Sequence, residues 1–153
     1  MTNPAADSAS DYNAKIIHEF RANGGHVGGP WADTPMLLIH HIGAKSGTER
    51  VTPLAYFPHP GGRFVIVASS GGSPAHPGWY HNLKAHPVTK AEVGGQTFSV
   101  LAEELDGTAR AELWPKLVAE APTLGEHQGR TTRRIPVFML TRQARDPRRS
   151  SLP

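Results

Sequence analysis

Residues 36–54, MLLIHHIGAKSGTERVTPL, decide the fold of this 153-residue chain. The stretch begins with an apolar run of strand character, is interrupted by the glycine-bounded loop 43–47, and resumes an extended pattern after Arg50. Two runs joined in this way predict an antiparallel hairpin. The loop exposes backbone N–H groups beside Lys45, Ser46 and Arg50. Such a corner is either a solvated basic turn or a site for an anion, and the stretch alone leaves both interpretations open.

The same kind of pattern predicts further strands after this hairpin. Six strands are expected, at residues 36–42, 50–57, 63–69, 88–93, 96–104 and 136–141. Short strands with hairpin-like connections predict a mainly β (α+β) fold, in which a mostly antiparallel sheet curls into a small barrel with a few flanking helices. The strand–helix alternation of a parallel sheet and the G-x-G-x-x-G fingerprint are absent, which argues against a Rossmann nucleotide site.

Capping and breaking residues predict three helices. They lie at residues 11–23 with Asp11 as the cap, at residues 78–85, and from Asp106 or Thr108 onward. Pro115 lies inside the third helix and either kinks it or divides it into two pieces. The predicted organisation is a flexible leader at 1–10, one β-barrel domain at 11–141 and a basic flexible tail at 142–153.

Composition limits the classes of function. The chain has no cysteine, which excludes disulfides and thiolate chemistry and fits a reducing compartment. We therefore predict a cytoplasmic location, with peripheral contact at the inner face of the membrane as a further option. The apolar runs are too short to span a bilayer. The net charge of +3 owes much to the arginine-rich tail, which lacks aromatic residues and so argues against nucleic-acid binding.

The nine histidines do not form the pattern of a metal site. His40 and His41 are adjacent in a strand and point to opposite faces, and the histidines at 76, 81 and 86 do not follow the i, i+4 spacing. No metal is predicted. Nucleophilic catalysis has no signature either, because G-x-S-x-G is absent and Ser69 and Ser70 have no evident base.

A second informative stretch is 67–83, VASSGGSPAHPGWYHNL. A buried strand runs into serines and glycines, and such small residues let a flat ligand approach the backbone closely. Trp79 and Tyr80 follow on the short helix. These two residues could form a wall against an aromatic ring, or Trp79 and Leu83 could simply dock this helix onto the barrel, and the pattern is compatible with both roles.

Three motifs occur in order: GAKSGTERVTPL, VASSGGSPAHPGWYHNL and TTRRIPVFML. Over roughly residues 36–140 the chain resembles the deazaflavin (F420)-dependent nitroreductase family of F420H2-dependent reductases. The resemblance implies a split β-barrel similar to flavin-binding pyridoxamine-phosphate-oxidase-like proteins, and reduced coenzyme F420 as the hydride donor. It implies reduction of a small electron-poor acceptor, namely a quinone, an enone or coumarin-type lactone, or a nitroaromatic.

The resemblance also implies where the cofactor lies. Its phosphate would meet Lys45, Ser46 and Arg50, and its ring would lie along Thr52 and the two residues that follow. The complete implied set is Ala44, Lys45, Ser46, Arg50, Val51, Thr52, Pro53, Leu54, Ala55, Val67, Ala68, Ser69, Ser70, Gly78, Trp79, Tyr80, His81 and Asn82.

Two positions depart from the pattern of this family. Ser70 stands where many relatives have a lysine, and His127 stands where many have a tyrosine before a Gln-x-x-Thr segment. Leu124 and His127 are therefore expected to shape a different substrate pocket. In the implied reaction Ser69 stabilises developing negative charge and His127, or water, supplies the proton.

Other functions remain open from the sequence. The chain could be a non-catalytic F420-binding or carrier protein, or a barrel that uses FMN or haem. A monomer or a homodimer is expected.

Overall fold

The computed structural model of the chain describes residues 4–143, and for residues 4–10 the backbone alone. Within this range there are four α-helices and seven strands. In chain order they are α1 (Pro4–Ala22), β1 (Met36–Ile42), β2 (Glu49–Ala55), β3 (Phe57–His59), β4 (Arg63–Val67), α2 (Gly78–Ala85), β5 (Val88–Val93), β6 (Gln96–Leu105), α3 (Gly107–Glu120), α4 (Thr123–Gly129) and β7 (Val137–Arg142). Short 3₁₀ turns lie at Gly29–Trp31 and Ser70–Gly72.

The seven strands form one antiparallel sheet in the order β2-β1-β5-β6-β7-β4-β3. β2 and β3 lie at the two ends of this order, although only Tyr56 separates them in the chain. The sheet must therefore curl until its two edges approach each other, while the described strands form no ladder between β2 and β3. This curled but unpaired arrangement is a split barrel, and the predicted fold class is confirmed.

The β1–β2 hairpin is the one that the opening stretch predicts. Its seven residue pairs run in unbroken register from Met36↔Ala55 to Ile42↔Glu49. The register places Arg50 opposite His41, and Thr52 follows Arg50 on the same face of β2 because side chains alternate along a strand.

β1 contributes to two buried surfaces. Leu37 and Ile39 point into the barrel interior, where Phe138 is also fully buried. Leu38 points outward and is covered by Phe20 of α1. A strand that is covered on both faces needs apolar residues at nearly every position, as β1 has. Each of these side chains contributes roughly 1.5–3 kcal/mol through burial.

The second predicted strand is in fact two strands, so the expected number of six is wrong. β2 ends at Ala55, and the N–H of Tyr56 then donates to the carbonyl of Pro35 at 3.1 Å. The next three residues, β3, pair with β4 at the other edge of the sheet. The break occurs because the chain changes its strand partner from β1 to β4. Such a change gives no local signal in the sequence.

Two helix predictions also need correction. α1 begins at Pro4, so Asp11 lies inside the helix and is not its cap, and residues 4–10 of the predicted leader are helical. Proline is well suited to a first helical turn, where its missing N–H costs nothing. α3 continues through Pro115, so the division into two pieces is wrong, and Asp106 is its N-cap residue. Apolar packing of Leu117 and its neighbours stabilises the helix despite the lost hydrogen bond.

The ends of two strands shift as well. β4 ends at Val67 because Ser69 adopts helical angles, with φ −74° and ψ −36°. β7 extends through Arg142, which was predicted to open the tail and instead places its guanidinium 4.3 Å from the ring centre of Phe98. The predicted tail from residue 144 onward lies outside the described residues. No helix in residues 4–143 combines the length and the apolarity needed to cross a bilayer.

Candidate functional site

A cavity of about 600 Å³ lies where the loop between β1 and β2 meets α2. Two of the three sequence motifs thus converge on one place, where the lining residues of the first end at Thr52 and those of the second begin at Gly78. The lining residues are His41, Gly43, Ala44, Lys45, Ser46, Arg50, Thr52, Gly78, Trp79, His81 and Asn82.

The loop at the rim of the cavity is held by its own backbone. The Gly43 N–H donates to the Thr48 carbonyl at 2.9 Å, and the Gly47 N–H donates to the Gly43 carbonyl at 2.8 Å. A Cβ at Gly43 would lie 2.3 Å from Ser46 Oγ, so a side chain there would force the Ser46 hydroxyl to move. This tight turn leaves Lys45 exposed at the rim.

Polar side chains form the floor of the cavity. The Ala44 N–H donates to Asn82 Oδ1 at 2.9 Å, and Asn82 Nδ2 lies 2.8 Å from His41 Nδ1. His41 Nε2 lies 2.8 Å from Thr52 Oγ1. Burial, the charge of Arg50 and the neighbouring His40 lower the pKa of His41 to about 4. The ring is therefore neutral near pH 7, and the floor is polar without being charged.

Trp79 and Tyr80 both dock α2 onto the barrel. Their ring centres lie 5.8 and 5.7 Å from that of Phe138 inside the core. The hydroxyl of Tyr80 also donates to Glu104 at 3.2 Å. Trp79 in addition lines the cavity, whereas Tyr80 does not. The docking role therefore holds for both residues, and Trp79 alone is placed for a role at the cavity as well.

Several residues of the implied cofactor set lie away from this cavity. Val51 packs toward α1 on the opposite face of β2, and Leu54 packs against the barrel core. Val67 faces the apolar cluster under α3, and Ala68 is fully buried in the core. The members of the set that do not line the cavity are Val51, Pro53, Leu54, Ala55, Val67, Ala68, Ser69, Ser70 and Tyr80.

Ser69 belongs to a second region, which Arg133 holds together. The guanidinium of Arg133 donates to the carbonyl oxygens of Ala68, Ser69 and Ser73 at 3.1, 2.8 and 2.9 Å. It also donates to His76 Nδ1 at 2.9 Å. Sequence reasoning did not single out Arg133, although the third motif, TTRRIPVFML, contains it. We name residues 68–76 together with Arg133 and α4 the arginine-anchored region.

α4, which the sequence did not predict, brings His127 into this region. A Cβ on Gly72 would lie 2.6 Å from the carbonyl oxygen of His127, so only glycine permits this approach. His127 Nδ1 is buried and has no hydrogen-bond partner among the described residues. Leu124, expected to shape a pocket, is instead buried in the cluster with Leu117.

The two adjacent histidines of β1 face opposite sides, as their spacing predicts. His40 lies between Glu49 and Glu92, each 2.8 Å from one of its ring nitrogens. Arg21 of α1 pairs with the same Glu92 at 2.7 Å. In the part of the chain that the structure describes, no group of three His, Asp or Glu side chains is placed to hold a metal ion.

A second cavity, of about 430 Å³, lies between α3 and the sheet. Its walls carry cations such as Arg63 and Lys116 together with acids such as Glu103 and Asp106. Because charges of both signs line it, it offers no preference for an anion.

Comparison with known proteins identifies the relatives of the chain. Residues 14–142 match the family model of the F420H(2)-dependent quinone reductases. An F420H(2)-dependent quinone reductase of Mycobacterium tuberculosis is 42% identical over 130 residues, which cover 81% of this chain and 85% of that protein.

Solved structures give the same result. An F420-H2 dependent reductase, FDR-A, is 39% identical with a TM-score of 0.62, and the match covers 70% of this chain and 94% of that one. A chain described as a domain-swapped dimer is 34% identical with a TM-score of 0.64, covering 90% and 99% respectively.

Proposed function

Because the chain belongs to the F420H(2)-dependent quinone reductase family, we propose that it transfers hydride from reduced coenzyme F420 to an electron-poor acceptor, foremost a quinone. The enzyme is an F420-dependent oxidoreductase. The observation that carries the proposal is the cavity between the β1–β2 loop and α2, which combines a basic rim with a neutral polar floor. Enones, coumarin-type lactones and nitroaromatics are further acceptor classes, because they are electron-poor as well.

The residues of the cavity fit a flat cofactor that carries a phosphate. Arg50 offers a bidentate fork and Lys45 a point charge at the rim, where both are exposed. Ser46 and the backbone of the tight loop add hydrogen-bonding groups. The neutral state of His41 avoids a third cation at the floor, so positive charge is concentrated at the rim. The volume of about 600 Å³ lies within the range of small-molecule sites.

When bound, reduced F420 supplies the hydride, so the protein has to bind, orient and stabilise charge. Transfer requires donor and acceptor atoms to lie about 3–3.5 Å apart, which a rigid hairpin and a docked helix can enforce. In this proposal the Ser69 hydroxyl donates to the acceptor oxygen that gains negative charge. His127, or water, then supplies the proton. The position of both residues in the arginine-anchored region supports a division of labour between cofactor and acceptor.

Two alternatives use the same fold. A carrier protein would bind F420 without oxidising it in the presence of an acceptor. A barrel that uses FMN or haem would be coloured as purified. A cytoplasmic location and a monomeric or homodimeric state complete the proposal, and the domain-swapped relative supports a dimer.

The experiment follows the oxidation of reduced F420 without oxygen, in the presence of a panel of quinones, enones, lactones and nitroaromatics. We expect oxidation only when protein and acceptor are both present, and fastest with a quinone. F420 binding without any oxidation across the panel would favour the carrier alternative and contradict the enzymatic function.

A further inference from the structure

The floor of the cavity contains a series of hydrogen bonds whose direction is fixed at one end. The Ala44 N–H can only donate, and its acceptor is Asn82 Oδ1 at 2.9 Å. The amide of Asn82 is thereby oriented with Nδ2 toward His41 Nδ1, 2.8 Å away. Because an amide Nδ2 donates and does not accept, His41 Nδ1 must be the acceptor and carries no proton.

This arrangement fixes the tautomer of His41. A neutral imidazole with a bare Nδ1 carries its proton on Nε2. His41 Nε2 lies 2.8 Å from Thr52 Oγ1, so it donates to that hydroxyl. The lowered pKa of His41, which burial and the charge of Arg50 cause, keeps the ring in this neutral form.

The hydrogen of the Thr52 hydroxyl cannot point back at His41, because that direction is occupied by the Nε2–H. Within the described residues the hydroxyl makes no other hydrogen bond. Thr52 is half-buried and lines the cavity. Its hydrogen is therefore free for a group that enters the cavity.

We propose that His41 and Asn82 are positioning residues that hold the Thr52 hydroxyl as a hydrogen-bond donor toward an acceptor atom of the bound cofactor, an inference that rests on the proposed function. The acceptor is an oxygen or an unprotonated nitrogen. The same series begins at Ala44, next to Lys45, so it also ties the phosphate-facing loop to the cavity wall. Thr52 contacts the cofactor directly, and the other two side chains act through it.

A purely structural role for the three side chains is the competing interpretation, because buried polar groups are paired in almost every protein. The two interpretations differ in one measurable respect. Only the proposal makes the effect of His41 on cofactor affinity depend on the Thr52 hydroxyl.

The first experiment is a double-mutant cycle, read out as equilibrium affinity for F420. Thr52→Val should weaken binding about 3- to 10-fold, while Thr52→Ser, which keeps the donor, should stay within about 2-fold of the wild type. His41→Phe should cause a similar loss of F420 affinity in the wild-type background and no further loss in the Thr52→Val background. Thr97→Val, at an exposed strand position that does not line the cavity, is the matched control and should change nothing.

The outcomes separate the inference from the function on which it rests. Equal losses for His41→Phe in both backgrounds, or wild-type affinity for Thr52→Val, would overturn the inference while F420 binding by the wild type stands. A wild type that does not bind F420 would overturn the proposed function and the inference together. His41→Gln replaces His41→Phe in the cycle if the latter does not fold.

The second experiment needs no cofactor. The ¹⁵N resonances of the His41 imidazole in the free protein at pH 7 should show a protonated Nε2 and a bare Nδ1. With the opposite tautomer, His41 Nε2 would accept from the Thr52 hydroxyl and leave it no hydrogen for the cofactor, which would overturn the inference.

Discussion

The cavity between the β1–β2 loop and α2 contrasts with the arginine-anchored region. In the cavity, residues of two sequence motifs meet around a continuous series of hydrogen bonds anchored in regular secondary structure. In the arginine-anchored region, a loop is held from outside mainly by the side chain of Arg133, with a longer contact of 3.4 Å from Arg130 to the Gly71 carbonyl, and the short helix α4 covers it. The hairpin and α2 are suited to a cofactor that must always bind in one way. A loop held mostly by side chains is suited to a part of a site that can vary, and the two positions at which the resemblance implies other residues, Ser70 and His127, occur there.

The largest expected effect tests the cavity. Replacing Lys45 and Arg50 together with alanine should weaken F420 binding by about 3 kcal/mol or more, roughly 100-fold, because two charge-assisted contacts to the phosphate are lost. Equilibrium titration measures the change. The pair Arg63→Ala and Lys116→Ala removes the same charge from the second cavity and should have no such effect. Equal losses of affinity in both pairs of variants would mean that net charge in general, and not contact of Lys45 and Arg50 with the phosphate, causes the effect.

The next effect tests the arginine-anchored region. Arg133→Met should lower the free energy of unfolding by about 2–3 kcal/mol, because three carbonyl oxygens and His76 lose their donor. Turnover should fall more than F420 affinity if this region serves the acceptor. Arg134→Met, at the exposed neighbouring position, is the control. Loss of F420 affinity with unchanged turnover at saturation would contradict the division between the two regions.

A smaller effect concerns pH. His41 has a pKa of about 4 when folded against an ordinary value of 6.5, so the folded state disfavours its protonation. The neutral ring contributes on the order of 2 kcal/mol to the free energy of unfolding. This contribution is fully present above pH 6.5 and is lost as the pH falls from 6.5 to about 4. The charges of Arg50 and His40 act on the ring in the same direction.

The measurement compares denaturant unfolding of the wild type and His41→Gln between pH 7.5 and 4.5. The difference in the free energy of unfolding between the two proteins should shrink toward low pH, because only the wild type has to keep His41 unprotonated. Carboxylates such as Glu49 titrate in both proteins, so their contributions cancel. A difference that is independent of pH would contradict the depressed pKa.

The smallest effect concerns His127, at which the resemblance implies a tyrosine. His127→Tyr should change the ratio of turnover between a quinone and a nitroaromatic by about 3- to 10-fold, corresponding to about 1 kcal/mol. The affinity for F420 should stay within about 2-fold, because His127 does not line the cavity. Turnover ratios for the two acceptors measure the effect, and an unchanged ratio would remove His127 from acceptor selection.

The sequence predicted those elements whose signal lies in their own residues, and it missed those that distant partners determine. The β1–β2 hairpin and α2 follow from apolar runs and from glycine or proline at their ends, and both lie where predicted. The break at Tyr56 was missed, because its cause is a hydrogen bond to Pro35 and a strand partner at the far edge of the sheet. α4 is too short to show an apolar period.

The site follows the same rule. Lys45 and Arg50 stand out as charges beside glycines within one short loop. The roles of His41 and Arg133 depend on partners as far as 41 and 65 residues away, so no spacing reveals them. The resemblance to a family pointed to the motif that contains Arg133 but not to what the side chain holds.

Titration of the purified protein with F420 and, in parallel, with FMN tests the central claim most directly. We predict saturable binding of one F420 per chain, affinity for FMN at least tenfold weaker, and loss of the F420 signal in the Lys45→Ala, Arg50→Ala variant. Absence of F420 binding, or FMN binding of equal or higher affinity, would contradict the assignment of this cavity as an F420 site.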